Sequence, residues 1–303
     1  MKELEQCHIC PHNCGVNRLI GQVGRCKATD KVKVALASLH NFEEPCISGE
    51  NGSGTVFFSN CNLNCVFCQN YEISQQGVGK EISIEDLADI FIDQQNKHAE
   101  NINLVTPTMY IYQIIEAIKI ARNNGLNIPI VYNSNGYENV ETIKALDGYI
   151  DIYLPDLKYG DDELAFKYSG IKNYFENATK AIQEMYNQVG VPVLNENGMM
   201  KKGLMIRHLV LPSNIQNSKD VLKWINDNMN NNIFVSVMAQ YFPTNKAKDY
   251  PEINRKLNKE EYEEIEQYLY SLNLNNGYIQ ELGEHEEEYV PNFRGKEWIL
   301  WKH

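Results

Sequence analysis

At 303 residues with 43% hydrophobic side chains, the chain can form one large α/β domain or two smaller ones, and no low-complexity run predicts long disorder. A formal net charge of −12 argues against a nucleic-acid substrate, because phosphate binding needs Lys and Arg clustered on one face. The opening residues lack the apolar core of a secretory signal and no apolar stretch is long enough to span a bilayer, so eight cysteines predict a reducing cytoplasm and metal binding.

The first element is a cysteine-rich stretch. Cys7, Cys10, Cys14 and Cys26 follow the order Cys-x2-Cys-x3-Cys-x11-Cys, with Gly15, Gly21 and Gly24 among them. So short a segment buries little apolar surface, and residues 1–50 are predicted to form a small metal-stapled module. Four thiolates suit either structural zinc or a second iron–sulfur cluster, and His8 or His12 could stand in for one of them. Cys46, alone after Glu43-Glu44-Pro45, reads as a buried small hydrophobe.

Residues 51–303 alternate β-branched runs with helical stripes. The first predicted strand, Thr55–Ser59, runs into Cys61, Cys65 and Cys68, spaced Cys-x3-Cys-x2-Cys. A cubane iron–sulfur cluster takes one thiolate per iron, so three thiolates on one loop leave the fourth iron open to a ligand that is not protein. A zinc knuckle would want a fourth ligand close by, and a disulfide set would want an even count in an oxidising compartment.

Further strands are predicted at Asn101–Thr106, Ile128–Asn133, Tyr149–Pro155, Leu204–Leu211 and Ile233–Ala239. Between them, Ser83 and Asp86 form a capping-box pattern ahead of Ile84, Leu87, Ile90 and Phe91. Ile111, Ile114, Ile115 and Ile118 make the next apolar stripe, and Phe175, Ala178, Ile182, Met185 and Val189 another. Val221, Leu222, Ile225 and Met229 precede a last stripe of Tyr262, Ile265, Leu269 and Leu272. Six strands, each followed by a helix, predict an α/β fold whose parallel sheet curls into a partial (β/α)6 TIM-like barrel. Ligands of such sheets gather at the carboxyl ends of the strands, where Cys61 begins. His208 alternates with Arg207 and should face away from the site. The run Glu284-His-Glu-Glu-Glu288 reads as a solvated acidic tail.

The cysteine triplet, with Phe67 just before its last member, resembles the cluster loop of the radical S-adenosylmethionine (radical SAM) superfamily. Over nearly the whole chain, further segments are similar to its pyruvate formate-lyase activating enzyme-like branch, in the subgroup with a cysteine-rich N-terminus. They are Cys10-Pro-His-Asn-Cys-Gly-Val-Asn-Arg18, Gly52-Ser-Gly54, Arg207-His-Leu-Val-Leu-Pro212 and Gln240-Tyr-Phe-Pro243. Where that branch carries Gly-Gly-Glu-Pro for the cofactor's amino group, this chain has Val105-Thr-Pro-Thr108, leaving Thr106 and Thr108 as the implied contacts. Asn133-Ser134-Asn135-Gly136 replaces Asp-Thr-Asn-Gly, without the acid that elsewhere helps form a cation site. Asp156-Leu157-Lys158 matches the branch outright, and Arg207 stands where relatives aim an arginine at the cofactor.

The resemblance implies a 4Fe-4S cluster on Cys61, Cys65 and Cys68, and an oxidoreductase that works without oxygen. It takes an electron from flavodoxin or ferredoxin and cleaves S-adenosylmethionine to a 5′-deoxyadenosyl radical. That radical takes a hydrogen atom from the substrate. A glycine of a partner protein, giving a glycyl radical enzyme, is one such substrate. The alternatives are a small molecule or another protein or peptide side chain, or a non-catalytic iron–sulfur or zinc protein.

Overall fold

The computed structural model describes residues 2–272, 274–283 and 291–293; the acidic run at 284–288, His285 and His303 lie outside the described residues. In chain order the elements are β1 (Val32–His40), α1 (Pro45–Ser48), β2 (Ser53–Phe58), α2 (Tyr71–Ser74), β3 (Lys80–Ile82) and α3 (Ile84–Asn96). There follow β4 (Ile102–Val105), α4 (Ile111–Asn123), β5 (Ile130–Ser134), α5 (Val140–Lys144), β6 (Ile152–Pro155), α6 (Asp162–Ser169) and α7 (Tyr174–Val189). The chain continues with β7 (Val193–Leu194), β8 (Met200–Leu209), α8 (Ile215–Asn228), β9 (Phe234–Met238), α9 (Lys259–Ser271) and β10 (Gly277–Ile279). Among the described residues no helix is long and apolar enough to cross a membrane.

The strands form one sheet in the order β10-β9-β8-β6-β5-β4-β2-β1-β3. From β2 to β10 every neighbouring pair is parallel, so the six strands expected from the sequence build the partial barrel and β10 adds a parallel edge. Covered on both faces, β2 buries all of its residues, as parallel strands do. The expected capping box starts α3: the Ser83 hydroxyl accepts from the Asp86 N–H while the Asp86 carboxylate accepts from the Ser83 N–H.

Register sorts the side chains. Val56, Leu104, Tyr132, Tyr153 and Leu204 stand side by side across five strands, all in the main hydrophobic core. The next row, Phe57, Val105 and Asn133, points to the opposite face.

Residues 1–50 hold more regular structure than their composition suggested. The long strand β1 pairs antiparallel with β2, and Leu4, Ile9 and Ala28 join the main core. The short helix α1 packs Cys46 and Ile47 against Val131, Ile152, Leu154, Met200 and Met205, the inward side chains of β5, β6 and β8. It thus plugs the barrel interior, and its N-terminal approach places Glu43 and Glu44 above the plug.

Candidate functional site

A cavity of about 530 Å³ opens over the carboxyl ends of β2, β4, β5, β6, β8 and β9. Cys61, Cys65 and Cys68 line it, on a loop that leaves β2 through Asn60 in a left-handed conformation, φ +72°. Backbone hydrogen bonds tie that loop down, Asn60 N–H to Ile73 O (2.8 Å) and Val66 N–H to Tyr168 O (2.8 Å). Burial pushes the Cys61 and Cys65 thiols up and the Cys68 thiol to about 11, so a metal must displace protons to bind them.

Opposite the cysteines stands a charged chain. Lys158 Nζ lies 2.5 Å from Asp156 Oδ2, and Arg207 Nε donates to Asp156 Oδ1 at 3.0 Å. Arg207 also donates through Nη2 to Asn133 Oδ1 (2.5 Å) and pairs through Nη1 with Glu43 Oε2 (3.1 Å). Burial alone would raise the Asp156 carboxyl, but Lys158 and Arg207 more than offset it and hold it below the usual range. Burial likewise pulls the Lys158 ammonium down, and Asp156 with the Cys65 sulfur outweighs that, so it stays charged. Gly136 lets the β5 loop approach β6: its φ is +77°, and a Cβ there would come within 2.5 Å of the Asp156 carbonyl oxygen.

Phe67, Thr106, Asn133, Ser134, Asn135, Asp156, Lys158 and Arg207 all line the same cavity as the three cysteines. Thr106 does so with φ +58°, an unusual strain for a β-branched residue, worth on the order of 1–3 kcal/mol. Thr108 does not join them. The turn after Pro107 carries it inward, where its fully buried hydroxyl donates to Glu138 Oε1 at 2.7 Å. The expectation that Thr108 contacts the cofactor is therefore corrected. His208 faces away as expected, with Nδ1 2.7 Å from Leu157 O and Nε2 2.8 Å from Ser218 Oγ.

Two acids escaped the sequence reading. Glu43 accepts from Asn103 Nδ2 (3.0 Å) and pairs with Arg207, while one carboxylate oxygen of Glu44 is buried without a hydrogen-bond partner. Burial pushes both carboxyls up against the opposing pull of Arg207. Glu43 and Glu44 thus share the cavity wall with Asp156, Lys158 and Arg207. Their only local signal is a pair of acids before the proline that opens α1; nothing local reveals a partner 164 positions away.

The four N-terminal cysteines do gather. Cys7, Cys10, Cys14 and Cys26 line a separate cavity of about 20 Å³, with His12 and the buried Arg18. His12 Nε2 lies 2.9 Å from Asn62 O, beside the cluster loop, whereas His8 is not on that cavity's wall. Among the described residues, no three Cys, His, Asp or Glu side chains are drawn to single-ion distances. The triplet suits a cluster, whose ligand sulfurs stand well apart: three soft donors on one loop, beside room for a guest and charges to orient it.

The sequence profile of the Radical SAM superfamily matches residues 55–205. An uncharacterised protein of Methanocaldococcus jannaschii is 34% identical over 287 residues, covering 89% of this chain and 76% of that one. The pyruvate formate-lyase-activating enzyme of Clostridium pasteurianum is 22% identical over 254 residues, 79% of this chain and 99% of that one. In fold, the chain resembles the FeFe-hydrogenase maturase HydG of Carboxydothermus hydrogenoformans, with a TM-score of 0.51 at 14% identity over 80% of this chain. It spans 61% of the length of that structure.

Proposed function

The chain belongs to the radical SAM superfamily, and from that premise we propose that it reductively cleaves S-adenosylmethionine and abstracts a hydrogen atom from a substrate. The observation that carries this reading is the convergence of Cys61, Cys65 and Cys68 with Asp156, Lys158 and Arg207 on one cavity. When bound there, a reduced 4Fe-4S cluster supplies one electron to the sulfonium of S-adenosylmethionine. Lys158 offers its ammonium to the cofactor's carboxylate, and Asp156 holds that ammonium in place from 2.5 Å. Glu43, with Glu44 beside it, provides the negative charge for the cofactor's amino group that Thr106 and its neighbours lack. Phe67 and Leu63 close an apolar wall that keeps water from the reacting centre.

The electron donor in this proposal is a flavodoxin or ferredoxin. For the hydrogen donor we favour a glycine of a partner protein; the supporting observation is the match to an activating enzyme over 99% of that enzyme's length. Anaerobic reconstitution with iron, sulfide, dithionite and S-adenosylmethionine should release 5′-deoxyadenosine. A reduced, iron-loaded protein that leaves the cofactor intact would overturn the reading. Deuterium transferred into 5′-deoxyadenosine from a labelled protein, and not from small molecules, would support the activase.

A further inference from the structure

Each cysteine sulfur of the triplet lies within hydrogen-bond reach of a polar side chain from outside its loop. Ser169 Oγ, the last residue of α6, donates to Cys65 Sγ at 3.0 Å. Ser74 Oγ, the last residue of α2, lies 3.2 Å from Cys68 Sγ. Asn135 Nδ2, after β5, donates to Cys61 Sγ at 3.4 Å. Ser169 is fully buried, and its hydroxyl lies 2.7 Å from the Tyr159 hydroxyl, also buried. A hydroxyl has one proton to give, so once Ser169 donates to the sulfur it must accept from Tyr159. The chain Tyr159, Ser169, Cys65 is then polarised toward the sulfur.

We propose that Ser169, Ser74 and Asn135 are positioning residues that set the reduction potential of the cluster on Cys61, Cys65 and Cys68, with Ser169, backed by Tyr159, the strongest of the three. The proposal rests on the cluster reading above. Hydrogen bonds to ligand sulfurs are one of the protein's levers on cluster potential. Reduction adds one negative charge, and a donor aimed at sulfur stabilises the reduced state more than the oxidised one. Removing a donor therefore makes the cluster harder to reduce.

The test is a redox titration of the reconstituted protein without S-adenosylmethionine, followed by the electron paramagnetic resonance of the reduced cluster. In Ser169→Ala the ratio of reduced to oxidised cluster at a fixed poise should fall about tenfold, a midpoint about 59 mV more negative for one electron. Tyr159→Phe should shift the midpoint the same way by less, and Ser169→Thr, which keeps the hydroxyl, should restore the parent value. A merely structural role would lower iron content without moving the midpoint of the cluster that remains. If Ser169→Ala does not load iron, Ser74→Ala and Tyr159→Phe decide the matter by a smaller shift in the same direction. Unchanged midpoints in fully loaded variants overturn this proposal alone. A parent chain that takes up no iron overturns the cluster reading and this proposal with it.

Discussion

Lys158 reaches the cavity with its ammonium 2.5 Å from Asp156, and Asp156 also accepts from Arg207 at 3.0 Å. A charged hydrogen bond to the cofactor's carboxylate is worth about 1.5–3 kcal/mol. Lys158→Met should therefore weaken S-adenosylmethionine binding by roughly one to two orders of magnitude, measured by calorimetry on the loaded protein. The cluster's visible absorbance should persist, since no thiolate is touched. A variant that binds the cofactor as well as its parent removes Lys158 from the proposed contacts. Glu138 makes a different residue-scale prediction. Burial raises its carboxyl from 4.5 to about 7, against hydrogen bonds from Thr108, Tyr132 and Ser134. A carboxyl raised on folding leaves stability intact below pH 4.5 and erodes it as the pH climbs to about 7. The loss amounts to about 3 kcal/mol above that pH. Glu138→Gln keeps an acceptor for Thr108 and carries no charge, so it should raise the denaturation midpoint at pH 8 and change little at pH 4.5. Equal gains at both pH values would refute this assignment.

At the scale of elements, α1 and α3 show how position decides the consequence of a break. Ser83 caps α3 on an exposed surface and lines neither of the two cavities described, and Ser83→Ala should cost about 1 kcal/mol of stability. Its effect on cofactor affinity should be nil. Ile47, fully buried in α1, fills the barrel interior against β5, β6 and β8, and Ile47→Ala should cost about 2–5 kcal/mol. Because α1 holds the loop that carries Glu43, this change should also weaken S-adenosylmethionine binding. Denaturant titration together with cofactor titration checks the contrast; a loss of stability without a loss of affinity in Ile47→Ala would separate α1 from the site. The six parallel strands were legible as short β-branched apolar runs, because a strand covered on both faces is apolar throughout, and five of the helices were legible from their period of apolar residues. The short elements α1, α2, α5, α6, β3, β7 and β10 were not, each being eight residues or fewer and too short for a repeat to declare itself, and the nine-residue β1 was hidden in the stretch read as a metal-stapled module.

At the scale of the whole molecule, the N-terminal segment is clamped to the barrel rather than appended to it. Thr142 Oγ1 donates to Ile9 O at 2.6 Å, Asn139 Nδ2 to His8 O at 2.7 Å, and Arg18 Nη1 to Met109 O at 2.7 Å. If Cys7, Cys10, Cys14 and Cys26 hold a metal, its loss should loosen that clamp. Cys10→Ser with Cys14→Ser should lower the denaturation midpoint and remove the iron or zinc in excess of the triplet's four irons, read by metal analysis of both proteins. Unchanged metal content and midpoint would leave the four thiols without that role. The sequence by itself determined the cysteine triplet after a strand and the six apolar strand runs of the parallel barrel, because each is written in residues close along the chain; Asp156 and Lys158 stood out only through the resemblance of their segment to the family motif. Only the tertiary structure decided that Thr108 turns inward, that Glu43 and Glu44 enter the cavity, and that Ser169 and Asn135 meet the cysteine sulfurs. Those contacts join residues 30 to 164 positions apart, and strand register and helix packing, not local pattern, bring such residues together.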